Sequence, residues 1–302
     1  MIYNSTLDLI GNTPILKLNN LTDKDSAEIY VKLEKYNLAG SIKDRAALGM
    51  IEKAEKEGLL KKNSVIIEPT SGNMGIALAM IGKLKGYEVI IVMPDSMSKE
   101  RRDLIKAFGA KLILTEGSKG MNGAIEKASE LAKKENYFMP QQFQNIANRE
   151  KHYETTAEEI YNDINDLDVF IAGVGTGGTV SGIGRKLKEK ISNIKIVAVE
   201  PKSSPVLSGG NAGAHKIQGL GSGFIPDIYD SKSVDEVVNV SDLEAFETTK
   251  LIVEKEGILL GISSGAVISV AISMAKKIGK GKKILVIAPD GGEKYISMGI
   301  FN

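Results

Sequence analysis

Cysteine is absent from this chain, so no disulfide framework, thiolate metal site or cysteine nucleophile is open to it. Histidine is scarce. The two present, His152 and His215, lie far apart in sequence and argue against a His-rich metal site, so no metal is expected. Neither sign of charge is in excess, with 39 basic against 38 acidic residues, so neither nucleic acid nor an anionic membrane is expected as a partner. No apolar run is long enough to span a bilayer, and Met1-Ile2-Tyr3-Asn4-Ser5 carries no basic-then-apolar targeting signal. Internal repeats, heptad arrays and low-complexity tails are also missing. A cytoplasmic enzyme is the resulting expectation. At 302 residues the chain is long for one core and favours two domains of ordinary size.

What is present is an alternation of short β-branched runs with longer helical stretches. The runs at 64–68, 88–93, 111–115, 169–174, 195–200 and 283–288 are nearly continuous in apolar residues, as strands covered on both faces of a parallel sheet should be. Helical patterns occupy 42–57, 72–85, 99–108, 122–134, 178–190, 242–256 and 264–278. In the first of these, apolar residues recur at 46, 47, 50, 51 and 54 before Gly58. The alternation predicts an α/β fold with right-handed crossovers. Two stretches break it, near Leu38–Ser41 and over Pro140–Arg149. They are read as crossings between a smaller domain at 41–146 and a larger one made of 1–40 plus 147–302. The Gly-rich connection Ser203–Pro226 is long enough to be read as functional.

Three local patterns carry chemistry. Gly173-Val174-Gly175-Thr176-Gly177-Gly178-Thr179 lies between a strand and a helix, where outward-facing N–H groups and the positive helix end attract an anion. Thr176 and Thr179 add hydroxyls. Bare backbone in such number costs stability unless something must approach it closely, which argues against a simple ligand-free turn. The pattern does not say which phosphate is held. Gly173, Gly175 and Gly178 also satisfy G-x-G-x-x-G, and Glu200 ends the next strand where a dinucleotide fold places its ribose-binding acid, so an NAD-dependent oxidoreductase is a rival reading.

Lys43 follows the loop Asn37–Ser41, with Ser41 as a candidate N-cap. It sits in the first helical turn, where the dipole disfavours the ammonium form, and a neutral amine is what attacks an aldehyde. Asp44 and Arg45 read as a surface or structural ion pair. Thr70-Ser71-Gly72-Asn73 again joins a strand to a helix. It reads equally as a plain N-cap or as a pocket for a small carboxylate. A lysine, a carboxylate turn and a phosphate turn together point to pyridoxal 5′-phosphate (PLP) chemistry.

These patterns occur in order with Asn12-Thr13-Pro14, Met93-Pro94, Gln141-Gln142-Phe143, Glu200-Pro201, Gly261-Ile262-Ser263-Ser264-Gly265 and Pro289-Asp290. Across essentially its whole length the chain resembles the cysteine synthase (O-acetylserine sulfhydrylase) branch of the fold-type II PLP enzymes, which also holds cystathionine β-synthases. The resemblance implies a tryptophan synthase β-like architecture, with two mostly parallel, helix-flanked sheets and the cofactor in the cleft between domains. It implies that Lys43 forms the Schiff base and later acts as general base. Asn73 would meet the phenolic oxygen, and Gly175, Thr176, Gly177, Gly178 and Thr179 would hold the phosphate. Ser263, with Ser264 beside it, would face the pyridine nitrogen. Thr70, Ser71, Gly72, Asn73, Met74 and Gln142 would form the substrate site. The implied reaction is β-replacement, O-acetyl-L-serine plus sulfide giving L-cysteine. The alternative is a cysteine-consuming enzyme that releases hydrogen sulfide, with water or a thiol as acceptor. A non-catalytic protein that kept the fold is a third reading, opposed by the intact Lys43. A homodimer and docking with serine acetyltransferase are implied as well.

The chain departs from that family in places. Met74 stands where relatives carry Thr, and a thioether cannot replace a hydroxyl donor; it either fills space or alters the acceptable substituent. Asp227, in a segment near the active-site mouth of relatives, reads as a solvated loop charge or, with Asp230, as a water-activating base. Gly291 follows Asp290 where relatives often have Ser or Thr. His152 and His215 are expected to make structural hydrogen bonds.

Overall fold

The computed structural model describes residues 2–97 and 99–301. Its first half contains β1 (Ile15–Leu18), β2 (Glu28–Leu33), α1 (Lys43–Lys56), β3 (Val65–Pro69), α2 (Asn73–Lys85), β4 (Glu88–Pro94), α3 (Lys99–Ala107), β5 (Lys111–Thr115), α4 (Gly120–Leu131) and β6 (Tyr137–Phe138). Then follow α5 (Ile146–Lys151), α6 (Ala157–Asp163), β7 (Val169–Gly173), α7 (Gly178–Lys190), β8 (Lys195–Pro201), β9 (Glu236–Val240), α8 (Asp242–Glu256), α9 (Ile262–Ile278) and β10 (Lys283–Ala288). The chain divides into two compact units, Met1–Ile10 with Asn37–Asn148, and Gly11–Tyr36 with Arg149–Asn302.

The smaller unit is built on a parallel four-stranded sheet in the order β5-β4-β3-β6. Successive side chains of a strand face opposite ways, and this sheet is covered on both sides. Ile66 and Ile91 pack with Ala46, Met50 and Ile51 of α1 and Ile76 and Met80 of α2. Their neighbours Ile67, Ile90 and Val92 pack with Ala124 and Ala128 of α4. Leu7 and Ile10 lie on the first of these cores, which is why the N-terminal segment groups with this unit and not, as expected from sequence, with the larger one.

The larger unit carries a six-stranded sheet, β1-β2-β10-β7-β8-β9, parallel except for the β1–β2 pair. One face buries Val169, Ile171, Val197, Val199, Ile284 and Val286 under α8 and α9. Helix α7 packs on β7 and β8. The turn from β7 to α7 is therefore pinned at both ends by buried secondary structure. Strands β1, β2, β6 and β9 are additions to the sequence reading. All but β2 are edge strands, and Glu236-Val237-Val238-Asn239-Val240 has too little apolar continuity to resemble the central runs.

The core that positions the β7 turn is tightly filled, with Ile171 fully buried. Ile171→Ala should lower stability by about 2–5 kcal/mol, read as a shift in the denaturant-unfolding midpoint. An unchanged midpoint would show that this face of the sheet repacks freely.

Candidate active site

Lys43 is the first residue of α1 and is partly buried. The N-cap of α1 is Ile42, which makes no side-chain cap, and not Ser41 as expected; Ser41, one residue earlier, still accepts the Lys43 N–H on its hydroxyl at 3.2 Å. Asp44 and Arg45 are not a surface pair. Both are buried, and Asp44 Oδ2 accepts the Ala39 N–H at 2.5 Å, closing the loop that delivers Lys43. The side chain next to the lysine thus holds its approach loop from inside.

The start of α2 is built differently. Its N-cap is Gly72, which has no side chain, and no side-chain cap is made there. Thr70, 5 % exposed, turns its Oγ1 onto the Gly72 N–H at 3.3 Å, and its own N–H bonds Val92 O of the neighbouring strand. A helix start left open in this way favours an anion. A cation, overlooked in the sequence, stands nearby: Arg101 Nη1 donates to the Ser71 carbonyl at 3.3 Å. Met74 points away from any polar role. It is buried in the core shared by α1 and α2, which supports the space-filling reading.

Gln142 belongs to the same unit. It is buried, its N–H donates to Glu68 Oε1 at 3.1 Å, and its carbonyl accepts from Asn148 Nδ2 at 2.9 Å. Glu68 Oε2 also takes the Gln141 N–H at 3.0 Å. Glu68 stands near the end of β3, two residues before Thr70, and is 2 % exposed. Burial pushes its carboxyl up to about 7, with the two N–H donors pulling the other way. Neither Glu68 nor Asn148 was singled out from sequence.

In the larger unit the glycine turn is shaped by what a side chain would strike. A Cβ on Gly175 would meet the Gly219 carbonyl oxygen at 2.3 Å. Gly177 caps α7 at φ +81°, and a Cβ there would meet Tyr229 Cβ at 2.8 Å. Thr176 is buried, and its Oγ1 accepts the Gly178 N–H at 3.4 Å. Thr179, in the first turn of α7, lies 3.4 Å by its Oγ1 from His152 Nε2, whose Nδ1 is 2.9 Å from Thr156 Oγ1. His152 thus makes side-chain hydrogen bonds, one of them to the glycine-turn helix. His215 Nε2 lies 3.0 Å from the Gly221 carbonyl.

Ser263 and Ser264 open α9 and are both buried. Ser264 Oγ has no hydrogen-bond partner among the described residues. A hydroxyl enclosed without a partner is exceptional in a folded protein and fits a missing ligand atom. Glu200 is not available to a ribose, since its oxygens accept from the Leu207 N–H, the Ser208 N–H and Ser208 Oγ at 2.6–2.9 Å. That removes the acid on which the dinucleotide reading relied. Asp230 is likewise engaged: Oδ1 takes the Lys232 N–H at 3.1 Å and Oδ2 the Ser233 hydroxyl at 2.7 Å. Asp227 is exposed. Among the described residues no group of three His, Asp or Glu side chains is placed to hold a metal ion, and no helix is long and apolar enough to cross a membrane.

Two helix-flanked, mostly parallel sheets, with a glycine start opening α2 in one unit and another opening α7 in the other, define an α/β protein whose helix starts favour anions. The residues fit PLP, with a bare-backbone cradle for a phosphate, an unpartnered hydroxyl and a lysine at a helix start. A family model described as pyridoxal-phosphate dependent enzyme matches residues 6–290, and the chain belongs to that family. It is 51 % identical over 296 residues to a cysteine synthase of Staphylococcus aureus, covering 97 % of this chain and 96 % of the relative. Among solved structures it is similar to a hydrogen sulfide-producing enzyme from Fusobacterium nucleatum, with TM-score 0.93, 55 % identity and coverage of 97 % of this chain and 100 % of that one. It is also similar to a cysteine synthase from Entamoeba histolytica, with TM-score 0.96, 43 % identity and coverage of 100 % and 91 %.

Glu68 gives the site a pH signature. Its folded value, near 7, lies above the ordinary 4.5, so the folded state holds the proton more tightly. The resulting stability is fully present below about pH 4.5 and is lost as pH rises through about 7, on the order of 3 kcal/mol in all. Glu68→Gln should flatten the fall in unfolding free energy between pH 5 and 8, measured by urea titration at each pH. An unchanged slope would mean that Glu68 stays ionised throughout.

Proposed function

We propose that this enzyme carries out β-replacement on an L-amino acid and that its reaction is that of a cysteine synthase, O-acetyl-L-serine and sulfide giving L-cysteine and acetate. The observation that carries this reading is the full-length likeness to a cysteine synthase, 51 % identical over 296 residues. When bound, PLP withdraws electrons from the amino acid's Cα, so that the Cα proton becomes removable and the β-substituent a leaving group. Lys43 would hold the cofactor through its amine and, as the general base, would take the Cα proton of the substrate. Gly175, Thr176, Gly177, Gly178 and Thr179 hold the phosphate through turn N–H groups and hydroxyls. Ser263, with Ser264 beside it, offers the pyridine nitrogen a neutral hydroxyl. That favours β-elimination over transamination, because a carboxylate partner would make the ring a stronger electron sink.

The smaller unit binds the amino acid. Thr70, Ser71, Gly72 and Asn73 receive its carboxylate at the start of α2, with the Gln142 side chain as a further donor. Asn73 also meets the phenolic oxygen of the cofactor. Met74, buried in the core, shapes the loop from behind. With this reading go a cytoplasmic location, a homodimer and docking with serine acetyltransferase.

A second reading draws on the 55 % identity to a hydrogen sulfide-producing enzyme. Cysteine is then the donor, water or a thiol the acceptor, and serine or a thioether the product. Asp227, exposed on its loop, is the candidate to take a proton from the attacking water, because the carboxylate oxygens of Asp230 serve its own turn.

Two measurements test the proposal. Product analysis of the PLP-loaded enzyme should find cysteine formed from O-acetylserine and sulfide faster than sulfide is released from cysteine alone; the reverse order selects the second reading. Lys43→Ala should lower both rates by at least about a hundredfold, the usual contribution of a positioned general base. Residual activity within tenfold of the parent would exclude Lys43 as the base.

A further inference from the structure

Gln142 is held in an unusual way. Its main-chain N–H and its main-chain carbonyl are each bonded by a buried side chain, Glu68 on one side and Asn148 on the other. Its own side-chain amide, by contrast, makes no hydrogen bond among the described residues. A residue fixed through its backbone while its amide stays unengaged is poised to use that amide on something else. The preceding residue sharpens the point. Gln141 sits at φ +56°, a left-handed conformation that is strained for a non-glycine residue. The Glu68 carboxylate holds the N–H groups of both Gln141 and Gln142, so the strained turn and the residue after it are fixed by one side chain.

Glu68 also sits near the end of β3, two residues before Thr70. The same side chain therefore ties the Gln142 loop to the strand that leads into the Thr70–Asn73 turn. We propose that Glu68 and Asn148 are positioning residues that clamp the Gln142 main chain and thereby aim its side-chain amide at the carboxylate of the amino-acid substrate. This rests on the reading of Thr70–Asn73 and Gln142 as the carboxylate site. The ionised carboxylate, the form above about pH 7, suits position 68 because two adjacent N–H donors need two acceptor oxygens. The isosteric amide of glutamine has one acceptor and one donor, and sets that donor against an N–H.

The clamp is tested on the PLP-loaded enzyme by binding rather than turnover. The visible absorption of the bound cofactor is followed while L-alanine, which has no β-leaving group, is titrated in. A parallel titration uses L-alaninol, in which a hydroxymethyl group replaces the carboxylate. Glu68→Gln should weaken L-alanine about tenfold, equivalent to about 1.4 kcal/mol, and leave L-alaninol and cofactor content unchanged. Asn148→Ala, which reaches Gln142 from the other side, should do the same and serves if the first variant folds poorly. In a Gln142→Ala background, Glu68→Gln should add no further loss, because both act through one amide. L-Alanine affinity within twofold of the parent in both single variants, or equal weakening of the two ligands, overturns the clamp. If Gln142→Ala itself leaves L-alanine binding unchanged, the carboxylate-site reading fails and the clamp falls with it.

Discussion

The residues proposed to hold cofactor and substrate lie at helix starts left without side-chain caps. At α2, α7 and α9 the N-cap is a glycine, Gly72, Gly177 and Gly261, and none supplies a capping oxygen. The first N–H groups of such helices carry partial positive charge; at α7 the Gly178 N–H is taken by Thr176 Oγ1. Helix α8, which carries no candidate residue, shows the ordinary solution, a capping box between Ser241 and Glu244. A glycine N-cap forgoes only a few tenths of a kcal/mol relative to Ser or Asp, so leaving these starts open costs the fold little. Lack of a cap alone does not mark a ligand site, since α4 and α6 also start without a side-chain cap; what sets α2, α7 and α9 apart is glycine at the N-cap.

The loops around these starts are fixed by buried acids acting on main-chain N–H groups. Asp44 holds Ala39 ahead of Lys43, Glu68 holds Gln141 and Gln142, and Glu200 holds Leu207 and Ser208 in the long connection after β8. Burying a carboxylate is costly, and the cost is offset only when its oxygens are satisfied. The exposed surface charges, by contrast, form ordinary ion pairs such as Lys99–Asp103 and Lys127–Glu130, worth little in stability.

Central strands and the helices between them were legible because their burial on both faces leaves continuous apolar runs, as in Val89-Ile90-Ile91-Val92-Met93. Edge strands were not, since β1 and β9 are short and interrupted by Lys17 and Asn239. The glycine turn was legible as an anion site but silent about which anion; that question turned on Glu200, whose partners in the loop no local pattern announces. Lys43 stood out by its place at a helix start. Glu68 did not, because a glutamate closing an apolar run reads as a strand terminus, and its partners lie 73 and 74 residues further on. Asp44 and Arg45 read as a surface or structural ion pair, since nothing local says that both are buried. What sequence reading lost, then, includes distant contacts, as at Glu68, and side chains that close nearby loops five to eight residues away, as at Asp44, Asn148 and Glu200.

The central claim is that one amine, Lys43 Nζ, bonds the cofactor. Reduction of the PLP-loaded protein with borohydride, followed by digestion and mass spectrometry of the peptides, tests it most directly. The account predicts a single phosphopyridoxyl adduct on the peptide containing Ser41-Ile42-Lys43-Asp44. An adduct on another lysine, or no adduct on a protein that binds PLP, would contradict it.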